Sequence, residues 1–185
     1  MILSDVDLRE LVDRGCVEGL TDLDVQIQPA SIDLRLDDWF VTFPFKPSEP
    51  IRIDNIDVLT HCQRHIVGTG GIDLAPGQFC LAQTQEVVHM PDDMAASVVG
   101  RSTFGRLGLA VHVTAGFIDP GFHGNITLEL CNLGFSTLTL VPGTRICQIV
   151  VQELSGRADS PYGKTRGSSY QGQSSPSLPP NGVRD

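Results

Sequence analysis

The pattern of apolar and polar residues changes its period soon after the N-terminus. Residues 4–14 follow a helical period. Ser4 stands where an N-cap is expected, and Asp7 follows three residues later, as in a capping box. We therefore predict a short N-terminal helix over residues 4–14, which stops at Gly15. Its apolar face consists of Leu8, Leu11 and Val12.

Beyond this helix, the pattern is that of short strands. Residues 31–37 alternate strictly between apolar and polar side chains, as a half-buried strand does. From Ile72 onward, turn residues separate short apolar segments. The strands predicted there are 79–83, 86–89, 95–99, 108–113, 125–131, 137–141 and 145–154. The predicted fold class is all-β, a jelly roll or distorted β barrel with few helices besides the N-terminal one.

The remaining segments have the composition of loops. Residues 44–50 contain three prolines, and we predict irregular structure there and over residues 54–72. The last 20 residues, 166–185, include 11 Gly, Ser or Pro and cannot form a core. A chain of 185 residues fits one domain. We therefore assign residues 1–160 to a single β domain and residues 161–185 to a flexible tail.

The charge of the chain narrows the range of partners. It has 13 basic and 22 acidic residues, which gives a formal net charge of −9. A sequence-independent nucleic-acid surface needs a basic footprint, so we expect no nucleic-acid partner. A small anionic ligand is compatible with this charge, because a local cluster of arginines can bind it.

Cysteine usage and the N-terminal residues indicate a location. The five cysteines are scattered and form no Cys-x-x-Cys pair, so we predict reduced thiols rather than metal ligands. No basic region followed by an apolar run opens the chain, and no apolar stretch approaches the ~20 residues of a membrane span. We expect a soluble, cytoplasmic protein without a membrane partner.

Residues 100–108 stand apart in this acidic chain. They include two arginines, two hydroxyl side chains and three glycines. Glycines allow backbone N–H groups to approach an anion, and arginine forks pair with phosphate oxygens. The segment is either a polyphosphate cradle or a tight turn whose arginines pair with acidic side chains. The pattern alone does not distinguish the two.

Glu129 is expected in the middle of a strand. Within residues 125–131 the even-numbered aliphatic residues share one face, and Thr127, Glu129 and Cys131 share the other. A carboxylate buried there is costly without a partner, and its pKa is expected to rise. A raised pKa suits a group that both accepts and returns a proton. Alternatively, Glu129 lies on a solvated face of the sheet.

Several common catalytic motifs do not occur in the sequence. There is no H-x-E followed by P-C-x-x-C, which excludes the zinc chemistry of base-editing deaminases. Neither G-x-S-x-G nor G-x-x-x-x-G-K-[ST] is found. An enzyme built on this chain therefore has to activate water with a carboxylate and ordinary hydrogen-bonding groups.

Taken together, the motifs resemble those of the dCTP deaminases, which share the trimeric β fold of the dUTPases. The resemblance spans nearly the whole chain and implies zinc-independent hydrolytic deamination of dCTP at C4. It is carried by Leu3-Ser4-Asp5, Gln28-Pro29-Ala30-Ser31-Ile32-Asp33-Leu34-Arg35-Leu36, Tyr170-Gln171-Gly172-Gln173 and, most specifically, residues 100–108, 114–124 and 126–129.

The resemblance also implies catalytic roles. Glu129 matches the glutamate that takes a proton from the attacking water and returns it to N3 or to the departing ammonia. Ser102 and Arg106 match the residues that hold this water and orient the glutamate. The carbonyl of Ala115 matches a backbone acceptor near the amino group of the base, and Asp119 matches a residue near the deoxyribose and the α-phosphate.

The substrate-binding set that the resemblance implies is larger. Tyr162 and Gln173 would close over the triphosphate as a lid, and Mg²⁺ would be held mainly by the phosphates. The family assembles its sites from neighbouring subunits, which implies a homotrimer. The set consists of Arg101, Ser102, Thr103, Phe104, Gly105, Arg106, Asp119, Thr127, Leu128, Glu129, Gln148, Tyr162 and Gln173.

Two details place this chain within the family. Gly116-Phe117 stand where forms that stop at dUTP typically have His-Arg, which favours the form that also hydrolyses dUTP to dUMP and diphosphate. Gly116 is expected to leave room for a water near the α-phosphate. Ser169 replaces the usual lysine of the tail, so one phosphate-binding cation is missing. The alternatives are a deaminase that releases dUTP, a dUTPase-only enzyme and a non-catalytic trimeric nucleotide-binding regulator.

Overall fold

The predicted N-terminal helix is confirmed. The computed structural model describes residues 1–44, 50, 62–163 and 168–179, and helix α1 spans Asp5–Asp13. Its capping box is complete, because Ser4 N–H donates to Asp7 Oδ2 at 3.1 Å and Asp7 N–H donates to Ser4 Oγ at 3.5 Å. At the other end, Gly15 adopts a φ of +77°, which a side chain would disfavour, and the chain leaves the helix there.

The fold is built on one curled antiparallel sheet, which confirms the all-β fold class. The strands of the described residues are β1 Val17–Glu18, β2 Ile27–Gln28, β3 Ser31–Thr42, β4 Gln63–Ile66, β5 Ile72–Leu74, β6 Phe79–His89, β7 Met94–Gly100, β8 Leu109–Ala110, β9 Phe117–Ile118, β10 His123–Asn132, β11 Leu138–Leu140 and β12 Arg145–Glu153. Two short helices, α2 Leu23–Gln26 and α3 Ser102–Gly105, lie between them.

Ten of these strands form the curled sheet. Its path is β8-β10-β6-β3-β12-β7-β9, with β1 paired to β6 and with β2 and β4 paired to β3. Strands β5 and β11 form a separate two-stranded ribbon.

Three strand predictions need correction. The predicted strands 79–83 and 86–89 are one continuous strand, β6, and the irregularity between them is a bulge in β6, where residues 84–86 lie opposite the single residue Ile126 of β10. The predicted strand 108–113 is shortened to β8, because the chain beyond it leaves the sheet. Residues 63–66 form β4 against β3, where irregular structure was predicted.

Other predictions lie partly outside the described residues. Most of the proline-containing segment 44–50 and the N-terminal part of segment 54–72 are in this category. Among the described residues, no helix is long and apolar enough to cross a membrane.

The buried core residues of β10 follow the predicted alternation. In β10, Ile126, Leu128 and Leu130 are buried, whereas Glu129 between them is half-buried. In β3 the alternation is incomplete, because Asp33 is also buried. A buried carboxylate needs partners, and Asp33 Oδ2 has two: Arg145 Nη1 at 2.9 Å and Arg101 Nε at 3.3 Å.

A second buried carboxylate joins the N-terminal region to the sheet. The side chain of Glu86 in β6 is 0% exposed. Its Oε2 accepts the backbone N–H of Arg35 at 2.7 Å, and its Oε1 accepts Arg35 Nε at 2.7 Å and Gln26 Nε2 at 2.9 Å. This carboxylate therefore connects α2, β3 and β6.

The Glu86 network gives a stability prediction. Glu86→Ala removes the carboxylate, so that the guanidinium of Arg35 loses its counter-charge and the backbone N–H of Arg35 and the amide of Gln26 each lose an acceptor. We expect the free energy of unfolding to fall by about 3–5 kcal/mol. Chemical denaturation in guanidinium chloride, followed by circular dichroism, measures this loss.

A matched control removes a carboxylate from an exposed ion pair. Asp24 accepts Arg9 Nη2 at 3.0 Å, but its side chain is 89% exposed. We expect Asp24→Ala to cost at most about 1 kcal/mol. Equal losses in the two variants would contradict a special role for the buried network.

Candidate active site

A cleft of about 780 Å³ opens beside the exposed face of β10. Its walls are mainly aromatic and aliphatic, with contributions from β6, β7, β9, β10 and the C-terminal segment. Only a few polar side chains enter it. Apolar walls with a few convergent polar groups are typical of small-molecule sites. The polar residues that line it are Asp119, Thr127, Glu129, Tyr162, Tyr170, Gln173 and Ser177.

Glu129 is held in this cleft through one of its two oxygens. Oε2 accepts three consecutive backbone N–H groups, from Val113 at 2.8 Å, Thr114 at 3.0 Å and Ala115 at 3.3 Å. Oε1 accepts no hydrogen bond from the part of the chain that the structure describes. The carboxylate is thus fixed in orientation, with one oxygen available to a ligand or a water.

The electrostatic setting of Glu129 differs from the sequence-based expectation. Burial raises the pKa of Glu129, but the three backbone N–H donors and the nearby His112 together outweigh burial and hold the pKa below its ordinary value. The predicted increase was wrong, because the pattern of the strand contains no information about the loop that supplies the donors. Glu129 is therefore ionised at neutral pH and ready to accept a proton.

The space beside Gly116 is occupied by a side chain. A Cβ atom at this position would lie 3.0 Å from Cε1 and Nδ1 of His112. The imidazole thus fills the place where we expected room for a water. His112 Nδ1 is buried and makes no hydrogen bond within the described residues. Gly116 allows the loop to close over this ring.

The cleft brings together six of the predicted site residues, including the two that were expected to form a lid over the triphosphate. Ala115, Asp119, Thr127, Tyr162 and Gln173 line it together with Glu129. The carbonyl of Ala115 accepts no hydrogen bond from the described residues, which leaves it available as an acceptor.

Tyr170 is a lining residue that the sequence analysis did not assign to the site. Its place in the motif Tyr170-Gln171-Gly172-Gln173 was the feature of the sequence that could have assigned it to the site. Its backbone N–H donates to the hydroxyl of Tyr162 at 3.1 Å. Burial, with smaller contributions from Tyr162 and the carboxylate of Glu129, raises the pKa of Tyr170. Tyr170 therefore lies in the electrostatic field of the proposed base.

The C-terminal segment reaches the cleft by pairing with the start of β10. Gln173 accepts the N–H of Asn125 through its carbonyl at 3.0 Å, and its side-chain Nε2 donates to the carbonyl of Asn125 at 2.6 Å. Gly124 has a φ of +146°, and a Cβ there would come within 2.9 Å of the carbonyl oxygen of Gln173. Glycine at position 124 is thus required for this approach.

Residues 100–108, the segment with two arginines, lie away from the cleft. None of residues 101–106 lines the cleft. Ser102, Thr103 and Arg106 are exposed on and after α3, and within the described residues their side chains make no hydrogen bond or ion pair. Phe104 packs against the core and anchors the turn, while Gly105 is exposed.

Residues 100–108 were interpreted either as a polyphosphate cradle or as a tight turn whose arginines pair with acidic side chains, and Arg101 and Arg106 differ in this respect. Arg101 pairs with an acidic side chain, Asp33, and its Nη1 donates to the carbonyl of Arg145 at 2.9 Å. Burial raises the pKa of Asp33, and this effect exceeds the lowering by Arg101 and Arg145. Arg106 has no such partner in the described chain. One arginine thus has a structural contact, and the other is available to a ligand.

Two further predicted contacts are also outside the cleft. Gln148 in β12 lies opposite Asp33 and accepts the hydroxyl of Ser31 at 3.0 Å, which places it beside Arg101 rather than Glu129. Leu128 is 0% exposed, so only its backbone is available to a ligand. A single chain therefore holds the predicted site residues in two separate groups. One group lies in the cleft around Glu129, and the other lies around Arg101.

Comparison with a solved structure identifies the class of protein that has this fold. The structure resembles that of a 2′-deoxycytidine 5′-triphosphate deaminase from Agrobacterium tumefaciens, with a TM-score of 0.66 and 28% sequence identity over 82% of this chain. The match covers 47% of the longer Agrobacterium chain, so this chain spans about half of it.

Comparisons of sequence identify the family. The model of the family described as dCTP deaminase-like matches residues 2–154. A dCTP deaminase from Haloarcula marismortui is 48% identical over 95% of this chain and 92% of its own length. A "dCTP deaminase, dUMP-forming" from Halobacterium salinarum is 46% identical, and one from Methanosphaera stadtmanae is 44% identical, with similar coverage. The chain belongs to the dCTP deaminase-like family, as its motifs indicated.

The hydrogen bonds to Glu129 give a prediction that does not depend on activity. Val113→Pro removes the donor that is 2.8 Å from Oε2, while the exposed side chain of Val113 makes little packing contact. We expect the pKa of Glu129 to rise, because burial then meets less opposition. A pH titration of the side-chain carboxyl ¹³C resonance measures the change.

Val113→Ala serves as the matched control, because it shortens the side chain but keeps the N–H. Its Glu129 resonance is expected to titrate as in the parent protein. If Val113→Pro titrated like Val113→Ala, the N–H groups would not be the cause of the lowered pKa.

Proposed function

We propose that this protein hydrolyses dCTP at C4 to dUTP and ammonia, and then hydrolyses dUTP to dUMP and diphosphate in the same site. The observation that carries the proposal is Glu129, an ionised carboxylate with one oxygen fixed by three N–H groups and the other available in a nucleotide-sized cleft. The names of the relatives in Halobacterium and Methanosphaera support both reactions.

The first step uses Glu129 as a base. Its free oxygen takes a proton from a water as that water attacks C4 of cytosine. The proton then passes to N3 or to the departing ammonia, which breaks the C4–N bond. A positioned acid–base group of this kind contributes about 10²–10⁴ in rate. The lowered pKa makes Glu129 a weaker base toward the water but a stronger acid when the proton is returned.

The triphosphate needs cations, and none of the described residues that line the cleft is basic. The cleft walls are mainly apolar, and its charged side chains are the carboxylates of Asp119 and Glu129. Burying phosphate charge there without counter-charge is unfavourable. We infer that Arg101, Arg106 and the hydroxyl of Ser102 from a neighbouring subunit complete the site, so that the active form is a homotrimer. This accounts for the exposed side chain of Arg106, which has no partner among the described residues.

Magnesium fits the same arrangement. In the described chain no three His, Cys, Asp or Glu side chains converge on a common point. Mg²⁺ is commonly held by one or two carboxylates together with substrate phosphates. We propose that it arrives with the triphosphate, that Asp119 would be a carboxylate available to it in the cleft, and that it neutralises phosphate charge.

The second step is assigned to the phosphate end of the cleft. Asp119 borders both the cleft and an adjoining polar recess of about 630 Å³, which is also lined by Tyr162 and Ser169. We propose that Asp119 orients a water toward the α-phosphorus of dUTP and that diphosphate leaves. Ser169 places a hydroxyl here, where the family usually has lysine, so one phosphate-binding cation is missing at this position. The reduced thiols of Cys16, Cys80, Cys131 and Cys147 suit a cytoplasmic location.

The deciding experiment is chromatography of the products formed from dCTP and Mg²⁺. We expect dUMP, diphosphate and ammonia from the parent protein. Glu129→Gln keeps the shape of the side chain but removes the base, so we expect deamination to fall at least about 10²-fold while nucleotide binding persists.

Each other product identifies a different function. Accumulated dUTP would restrict the protein to deamination, dUMP from dUTP alone would make it a dUTPase, and bound but unchanged dCTP would indicate a regulator. Near-parental turnover by Glu129→Gln would overturn the role of Glu129.

Mixing two inactive variants tests the inter-subunit site. Glu129→Gln lacks the base, and Arg106→Ala lacks the cation, but the two defects lie in different halves of the site. After denaturation and refolding together at equal amounts, about a quarter of sites should combine two intact halves, as expected for a ring of heterologous interfaces. Deaminase assays of the mixture should therefore regain activity that neither variant has. A mixture as inactive as its components would show that one chain supplies both groups.

A further inference from the structure

The C-terminal segment continues beyond Gln173 and contacts the same strand again. Ser177 donates its backbone N–H to Thr127 Oγ at 3.2 Å. Thr127 Oγ in turn donates to Gln173 Oε1 at 3.3 Å, and Gln173 Nε2 donates to the carbonyl of Asn125 at 2.6 Å. Donors and acceptors alternate along this chain of hydrogen bonds. Each hydroxyl or amide group is therefore held in one orientation.

Two further contacts hold the segment that precedes Ser177. Gln83, a buried residue of β6, donates its Nε2 to the carbonyl of Ser174 at 3.3 Å and to Asp37 Oδ2 at 2.6 Å. Pro176 is buried. Residues 174–179, which we name the C-terminal latch, thus contact β6 and β10 at separate points.

The C-terminal latch is a wall of the cleft rather than a plug. Ser177 and Pro179 line the cleft together with Glu129 and Thr127. With the latch in this place the cleft still has a volume of about 780 Å³. Sites for small molecules and cofactors measure roughly 300–1,000 Å³. A nucleotide therefore has room while the latch is in contact.

We propose that Ser177 is a positioning residue, whose backbone N–H holds Thr127 and thereby fixes the side-chain amide of Gln173 at the wall of the nucleotide site. This inference rests on the proposed function, because Thr127 and Gln173 are its expected nucleotide contacts. Without the Ser177 N–H, the hydroxyl of Thr127 keeps only its bond to Gln173 Oε1, and the Gln173 amide, still bonded to the carbonyl of Asn125, is held less firmly. The bound nucleotide is then released more easily, while the chemistry at Glu129 is unchanged.

The test compares two substitutions at the same position. Ser177→Pro removes the N–H, whereas Ser177→Ala keeps it and removes only a hydroxyl that donates to the carbonyl of Ser175. In steady-state assays with dCTP, we expect Ser177→Pro to raise KM about 2- to 10-fold with kcat within about 2-fold of the parent value. Ser177→Ala should match the parent protein in both constants.

A truncated chain that ends at Gln173 provides a second variant, because it removes the whole C-terminal latch and leaves the strands of the sheet intact. It should raise KM at least as much as Ser177→Pro does. Limited proteolysis with and without dCTP gives a readout that does not depend on turnover. We expect dCTP to slow cleavage of the C-terminal segment in the parent protein and in Ser177→Ala, but much less in Ser177→Pro.

Three outcomes would overturn the proposal: an unchanged KM in Ser177→Pro, an equal effect of Ser177→Ala, or a lowered KM, which would make the latch a plug. A parent protein that forms no product from dCTP would instead refute the proposed function. The protection of the tail by dCTP would still test the latch in that case.

Discussion

One carboxylate oxygen and three peptide N–H groups determine the shape of the active cleft. After β8 the carbonyl of Val111 still accepts the N–H of Glu129 at 3.1 Å, and the next N–H groups, those of residues 113–115, donate to Glu129 Oε2 instead of to the backbone of β10. The loop that results carries Ala115 to the cleft wall and leads into β9, whose Phe117 forms another part of that wall. The same hydrogen bonds keep the carboxylate ionised despite its partial burial. Orientation, charge state and cavity shape thus have a common origin.

The acidic and the basic side chains of the proposed site lie on two different parts of one chain. An apolar cleft with carboxylates can hold a base and a sugar, and the cations lie on another part of the surface, next to the Asp33–Arg101–Arg145 cluster. The one negative charge of Asp33 is paired with the two positive charges of Arg101 and Arg145, which leaves a net positive charge in this cluster. A chain with a net charge of −9 can therefore bind a polyphosphate, provided that the cations are local and a second copy brings them to the cleft.

Local patterns predicted the elements whose stabilising contacts are also local. The capping box at Ser4 and the alternation around Glu129 are of this kind, and both were predicted correctly. Strand β4 has exposed and polar positions, so its pairing with β3 left no apolar signal. The lowered pKa of Glu129 and the packing of Gly124 against Gln173 depend on partners that are distant in sequence. Motif resemblance proposed the site residues, but it did not indicate that one chain places them on two separate surfaces.

The contact between residues 171–177 and β10 is, in physical terms, a peptide bound to a protein to which it is already attached. Attachment makes the association intramolecular, and short connections correspond to effective concentrations in the millimolar range. A few hydrogen bonds and one buried proline, too weak to hold a free peptide, are then sufficient to keep the segment in place. Weak individual contacts also break quickly, so the same segment can dissociate within each catalytic cycle without unfolding any strand.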